Sequence, residues 1–320
     1  MPIKLNYCPF CGSIKFKALY RIKVNNIFAP LFKMDKEKFQ QIFAYNLREC
    51  KICGLFYSDR VLTQSETISF YNFGIKNPFN KREVTKDRFN DIISFLNLLE
   101  QYTSLSQKKI LEVGCAHGFL LALAQKRGAI PTGFEINKET IAFGREKLKL
   151  NLIESDFLDY NFTNNEIYDI VVFFATIEHL KNPLDYIKKA HSLLKPNGLL
   201  YLTIPETCFL TKYILRHKCY NYILGHYTYP TKNLVLDKLN EIGFESLFYE
   251  STKLTIQLNL YSLSQLFKKL IKTNKTPIQK SYAYFIDPNE NIFRKLSKYP
   301  LLPFSLGMGR ILCKKSPTKL

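Results

Sequence analysis

Four of the eight cysteines stand in two pairs, Cys8-Pro-Phe-Cys11-Gly and Cys50-Lys-Ile-Cys53-Gly, with 38 residues between them. Each pair sets two thiolates on one tight turn. The glycine that follows, Gly12 or Gly54, permits the positive-φ step such a knuckle requires. Two knuckles complete a tetrahedral set of sulfur ligands suited to zinc. Disulfides are the rival arrangement, but nothing in the sequence points to an oxidising compartment. A dithiol redox site is the other rival, and neither pair precedes a helix inside a strand–helix–strand unit. With four protein ligands the expected Zn2+ is structural, a staple for a segment too small to fold by burial alone. Cys115, Cys208, Cys219 and Cys313 are scattered, as small core or surface residues are.

A second constellation begins at ILEVGCAHGFLLALA, residues 110–124. An apolar strand runs through a small-residue turn into an apolar helix, an arrangement that holds nucleotide-like cofactors. A dinucleotide loop needs G-x-G-x-x-G, its second glycine beneath a pyrophosphate and its third seating the helix. Counted from Gly114, this chain has Ala116 and Phe119 at those positions. The spacing that fits is G-x-A-x-G, Gly114 to Gly118, a loop passing close under a ligand that carries no phosphate. Glu112 lies just before it. Glu135 follows Gly114 by 21 residues, at the end of the next strand, where a carboxylate can accept both hydroxyls of a ribose. Asp156 and Phe157 end the third strand, with a carboxylate for an exocyclic amine and a ring able to flank a base. A nucleoside is provided for and a diphosphate is not.

The elements that must position these groups follow from periodicity. KILEVG, PTGFEI, NLIESD, YDIVVFFAT and LLYLTIP read as short strands, with consecutive apolar residues as in parallel strands buried on both faces. FLLALAQKRG, ETIAFGREKLKL, NPLDYIKKAHSLLKPNG and PTKNLVLDKLNEIGF read as the helices between and after them, and DRFNDIISFLNLLEQY as an amphipathic helix ahead of them. ESLFYES and GMGRILCKK supply the last strands, the final one antiparallel. The expected fold is α/β, a doubly wound and mostly parallel sheet preceded by a small β-rich zinc ribbon. The expected divisions are a ribbon at 1–57 and a connector at 58–86. A core at 87–255 and 306–316 follows, interrupted by an insertion at 256–305.

The run LEVGCAHGF, GFEIN, ESDFLDY, YDIVVFFATIEHLKNP and LLKPNGLLYLTIPE resembles the class I S-adenosylmethionine-dependent methyltransferases. The pattern CPFCGS followed by ECKICGLFYSD resembles the subgroup with a zinc ribbon ahead of the catalytic domain. The resemblance implies that Gly114, Ala116 and Gly118 pass under the methionine part of the cofactor with Glu112 beside them. Glu135 would hold the ribose, and Asp156 with Phe157 the adenine. Methyl transfer then demands alignment and exclusion of water, helped by a base if the acceptor is an alcohol. His179, after the fourth strand, is the first candidate for base or positioning residue, with Glu178 beside it. His226, ahead of the covering helix, is the second, whereas His191 and His217 read as surface residues. Ubiquinone-type O-methyltransferases are similar here but carry Glu-x-x-Glu-His, which can bind a divalent metal. This chain has Ala175 in place of the first Glu. Two ligands make a poor site, so no catalytic metal is expected.

The net charge of +19 is concentrated at the ends: residues 1–60 carry +7, 61–250 carry +1 and 251–320 carry +11. In 256–310, Lys and Arg alternate with Leu, Phe and Ile at nearly helical spacing, a surface able to rest on anionic lipid. The stretch 205–229 is rich in Tyr and reads as a substrate lid. The acceptor expected is a small molecule or glycan, with O-methylation of a saccharide or a lipid-linked or nucleotide-linked glycan precursor as the first reading. RNA methylation is the alternative, since a ribbon and basic ends can grip phosphates. However, FATIEH stands where a base-amine methylase carries an Asn-Pro-Pro-Tyr-type tetrapeptide. A non-catalytic ribbon scaffold is the third reading, opposed by the intact Glu135 and Asp156. The start lacks the apolar stretch of a secretory signal and no apolar run approaches about 20 residues. The expected location is therefore the cytoplasm, with peripheral placement at the inner membrane surface.

Overall fold

The computed structural model describes residues 1–76, 86–163, 167–206, 219, 221–251 and 308–317. They belong to one unit, formed by Met1–Ser251 and Met308–Leu320. The basic insertion at 256–305, His217 and most of the Tyr-rich stretch lie outside the described residues.

The N-terminal segment contains strands β1 (Ile3–Lys4), β2 (Phe16–Ile22), β3 (Tyr45–Cys50), β4 (Phe56–Ser58) and β5 (Arg60–Val61). It is less purely β than its cysteine pattern suggests. Between β2 and β3 the chain forms a 3-10 turn at Asn26–Phe32 and helix α1 at Lys36–Phe43. Asp35 caps α1, its side chain accepting from the Lys38 amide at 2.8 Å, as N-cap carboxylates do. Phe39 and Phe43 anchor the helix from below, both buried and in contact with the Phe32 ring. Residues expected to form a bare connector instead make helix α2, Gln64–Lys76.

Helix α3 (Lys86–Glu100) leads into the larger sheet, built from β6 (Lys109–Val113), β7 (Ile130–Glu135), β8 (Asn151–Glu154), β9 (Tyr168–Phe173) and β10 (Leu194–Pro205). Helices α4 (Phe119–Lys126), α5 (Lys138–Lys147) and α6 (Pro183–Leu193) connect them. After β10 come β11 (Thr228–Tyr229), α7 (Lys232–Ile242), β12 (Phe244–Ser251) and β13 (Met308–Lys315). The seven-stranded order is β12-β13-β10-β9-β6-β7-β8. Strands β6 to β10 pair in parallel, while β13 runs antiparallel between β10 and β12. This is the doubly wound sheet with an antiparallel last strand expected from the sequence.

Alternation along each strand sends neighbours to opposite faces. Leu111, Val171 and Leu202 fall in one core, and Ile110, Val172 and Tyr201 in the other. The first of these cores is continuous with the N-terminal segment, through Leu5, Leu47 and Tyr57. The second sheet has the order β11-β4-β3-β2. Its edge strand therefore comes from the far side of β10, pairing Thr228 with Tyr57 and Tyr229 with Phe56. Among the described residues, no helix is long and apolar enough to cross a membrane.

Candidate functional site

The parallel strands end at one edge of the sheet, and the residues singled out by spacing gather there. Between β6 and α4, Gly114, Ala116 and Gly118 adopt φ of 72°, 47° and 80°. Two of the three leave no room for a side chain. A Cβ at Gly114 would lie 2.7 Å from Thr176 Cγ2, and one at Gly118 would lie 2.5 Å from Leu150 Cδ1. Thr176 is itself fixed by donating its hydroxyl to the Val113 carbonyl at 3.0 Å.

Glu135 closes the loop from the end of β7. Its Oε2 accepts from the Ala116 amide at 3.0 Å, and its Oε1 from the Ile136 and Asn137 amides at 2.8 and 2.9 Å. Burial pushes its carboxyl upward, and these three amides pull it back. Asn137 caps α5 and donates to Asn72 Oδ1 at 2.7 Å, so α2 reaches the rim of the site. Sequence reasoning missed that helix, although the aromatic SFYNF run was its visible signal.

Glu112 is 4% exposed and, among the described residues, its Oε2 has no hydrogen-bond partner. Burial drives its carboxyl up to about 8, opposed by the Arg88 guanidinium. Arg88 lies over the Phe174 ring at 4.0 Å and donates to the Phe174 carbonyl at 3.3 Å. A buried carboxylate oxygen without a hydrogen-bond partner among the described residues is suited to a cationic ligand.

The third strand end needs correction. Asp156 accepts the Tyr186 hydroxyl at 2.8 Å on both of its oxygens and the Leu158 amide at 2.8 Å, so its carboxylate is already engaged. Phe157 is 2% exposed, within a cluster of Phe134, Phe162, Phe173 and Tyr186. Its ring is packed in the core, away from the exposed position expected for it.

At the end of β9, a 3-10 turn (Ile177–His179) presents Glu178 and His179. His226 arrives from a segment 47 positions later in the chain. The two rings stand edge to face with centroids 4.7 Å apart. His179 Nδ1 meets the Gly225 carbonyl at 2.8 Å, and His226 Nδ1 meets the Asn221 carbonyl at 3.1 Å. Burial lowers both, His179 to about 4 and His226 to about 3, the latter also by the facing His179. Glu178 is 1% exposed, its Oε2 has no hydrogen-bond partner among the described residues, and burial raises it to about 7. One donor atom from each of the three lies within 4.8 Å of the others. His226, distant in sequence, thus stands beside the Glu178–His179 pair. Tyr71 of α2 packs its ring 6.0 Å from His179. Burial raises its phenol, with further contributions from Tyr227, Glu135 and Glu178. His191, read as a surface residue, is partly covered, its ring edge-on to Phe244 at 5.0 Å.

The Methyltransferase domain family matches residues 84–247, half of the chain. The chain belongs to this family. The chain is also 32% identical over 111 residues to a ubiquinone biosynthesis O-methyltransferase of Vibrio vulnificus, covering 33% of this chain and 47% of that one. A protein of the same description from Haemophilus ducreyi is 31% identical over 125 residues, covering 36% and 50%. The chain thus spans about half the length of the curated relatives it matches. Among solved structures, the magnesium protoporphyrin IX methyltransferase of Synechocystis, with bound SAH, shares the fold. Its TM-score is 0.50 at 12% identity, over 79% of this chain and 97% of that one.

Ahead of the methyltransferase domain, the four paired cysteines converge, with Cys8 and Cys53 sulfurs 3.5 Å apart and Cys11 and Cys50 sulfurs 3.5 Å apart. All four sulfurs lie within 4.8 Å of one another. A tetrahedron with Zn–S bonds of about 2.3 Å has edges of about 3.8 Å, so the donor set fits a zinc ion. Gly12 and Gly54 have φ of 70° and 76°, and their amides return to the Cys8 and Cys50 carbonyls at 2.9 and 3.0 Å.

Proposed function

We propose that this chain transfers the methyl group of S-adenosylmethionine to a hydroxyl. The observation that carries the reading is the G-x-A-x-G loop, with Gly114, Ala116 and Gly118 all at positive φ and the Ala116 amide held by Glu135. Bound S-adenosylmethionine supplies an electrophilic methyl on a cationic sulfur. Glu135 then exchanges its bond to the Ala116 amide for the ribose hydroxyls. Glu112 offers its free oxygen to the cofactor's positive end, which draws off the carboxyl proton. Asp156 serves by holding α6 through Tyr186, and Tyr71 shields the site from water. In the transfer the acceptor oxygen bonds to the methyl carbon, the carbon–sulfur bond breaks, and its electron pair stays on sulfur. The hydroxyl proton leaves towards the neutral His179–His226 pair.

For the acceptor, a saccharide or a lipid-linked or nucleotide-linked glycan precursor remains the first reading, supported by the Phe70 and Tyr71 rings near His179 and Gly225, since such faces stack on sugar rings. The names of the curated relatives favour a second, a phenolic hydroxyl of the ubiquinone type. We also propose that Cys8, Cys11, Cys50 and Cys53 hold structural zinc. Peripheral contact with anionic membrane through 256–310 belongs to the same proposal. The test is calorimetry with S-adenosylhomocysteine and with NADH, followed by labelled-methyl transfer into glycan, quinone-precursor and RNA fractions. Binding of the first ligand alone, abolished in Glu135→Ala, is expected. Tight uptake of NADH with silence toward the other would end the reading, and label in RNA would replace the acceptor class.

A further inference from the structure

We infer that Glu178, His179 and His226 form a binding site for one divalent transition-metal cation at the acceptor side of the pocket, distinct from the cysteine cluster. The three side chains come from two separated segments, yet one donor atom of each falls within 4.8 Å of the other two. Each histidine has its Nδ1 on a backbone carbonyl, Gly225 for His179 and Asn221 for His226. A carbonyl only accepts, so Nδ1 carries the hydrogen and Nε2 keeps the lone pair. Fixing the ring through Nδ1 in this way is how proteins orient a ligating imidazole. Glu178 supplies the second observation. It is 1% exposed and, among the described residues, its Oε2 has no partner, a costly arrangement unless something binds that oxygen.

Two imidazoles and a carboxylate suit Mn2+, Fe2+, Co2+ or Zn2+ better than Ca2+ or Mg2+, whose preference is for an all-oxygen shell. Three protein ligands leave coordination positions open. In the hydroxyl-methylation reading, on which this part rests, a cation held by these three residues would supply Lewis acidity that makes a bound acceptor hydroxyl more acidic. With a cation bound, His179 and His226 would serve as ligands rather than proton acceptors, and the acidified hydroxyl would give its proton to bulk water. The His226 segment is tied to both partners by backbone bonds. The Tyr227 amide donates to the Glu178 carbonyl at 2.7 Å, and the Tyr227 carbonyl accepts from the Ser58 amide at 2.8 Å.

The experiment uses full-length protein with its cysteine cluster filled by zinc, titrated with Mn2+ while free Mn2+ is followed by electron paramagnetic resonance. Hard Mn2+ does not compete for a thiolate site. One equivalent bound to the wild type is expected. Glu178→Gln and His226→Asn should each weaken it on the order of 100-fold, the scale on which metal sites respond to lost support. His191→Gln, on α6, should leave it unchanged. Circular dichroism checks that each variant folds. Should a variant fail to fold, spin-echo modulation on wild-type Mn2+ still decides, because two coordinated imidazole nitrogens are required. Absence of binding, unchanged binding in both variants, or a signal without nitrogen coupling would overturn the site. S-adenosylhomocysteine calorimetry runs in parallel: Mn2+ binding without cofactor binding would remove the transferase reading and leave the cation site. The reverse would remove the site alone.

Discussion

The isolated carboxyl of Glu112 makes a quantitative demand on the stability of the ligand-free protein. Its native value is raised from 4.5 to about 8 by burial. At intermediate pH the native chain holds a proton that the unfolded chain has lost, so stability falls as pH rises through this window. At about 1.4 kcal/mol per pH unit the full loss is on the order of 5 kcal/mol. Glu112→Gln keeps the shape and removes the titration. Urea unfolding between pH 5 and 9 should therefore give a falling curve for the wild type and, for the variant, a smaller fall confined below about pH 7, where the buried Glu178 carboxyl still titrates. The variant should be the more stable of the two above pH 8. The same carboxyl should release its proton when the cationic cofactor binds at pH 7, seen as a buffer-dependent enthalpy in calorimetry that Glu112→Gln lacks. Parallel stability curves, or the same buffer dependence in both proteins, would refute the reasoning.

Glu135→Gln should weaken S-adenosylhomocysteine binding by about 2 kcal/mol, the scale of charged hydrogen bonds, measured by calorimetry. Gly118→Ala sets a methyl 2.5 Å from Leu150 Cδ1 at φ of 80°, and should cost about 1–3 kcal/mol in thermal unfolding. Adding Leu150→Ala should relieve the clash but not the backbone strain, which a double-mutant cycle will separate. Removing the proposed zinc with a chelator should speed hydrogen exchange at the Ser58 and Tyr227 amides together, because the N-terminal segment's sheet includes β11. Exchange rising at Ser58 alone would contradict that coupling.

Much of this architecture is written locally in the chain. Ile110, Leu111, Ile170 and Val171 are consecutive apolar residues on strands buried on both faces, a pattern that survives without knowledge of neighbours. The Gly114-to-Gly118 spacing and the offset to Glu135 likewise depend only on one strand–turn–helix–strand unit. Phe157 was misread because the direction of a side chain after a strand end is set by what packs there, here Phe134 and Tyr186. The convergence of His226 on Glu178 and His179 depends on the return of the chain past the ribbon, which no local pattern encodes. Helix α1 had a legible start in Asp35 ahead of KEKFQQIF. Its eight residues carry too few apolar turns to stand out beside two metal knuckles.

Strand β11 gives the N-terminal ribbon a stake in the rest of the polypeptide. Excising residues 1–57 would strip Tyr229 and Thr228 of their sheet partners and bare a greasy scar beside His226. A protein assembled from interchangeable modules could trade such a ribbon freely between lineages. Here any donor would have to bring a compatible edge for Thr228 and Tyr229, so ribbon and domain are expected to be inherited as a pair.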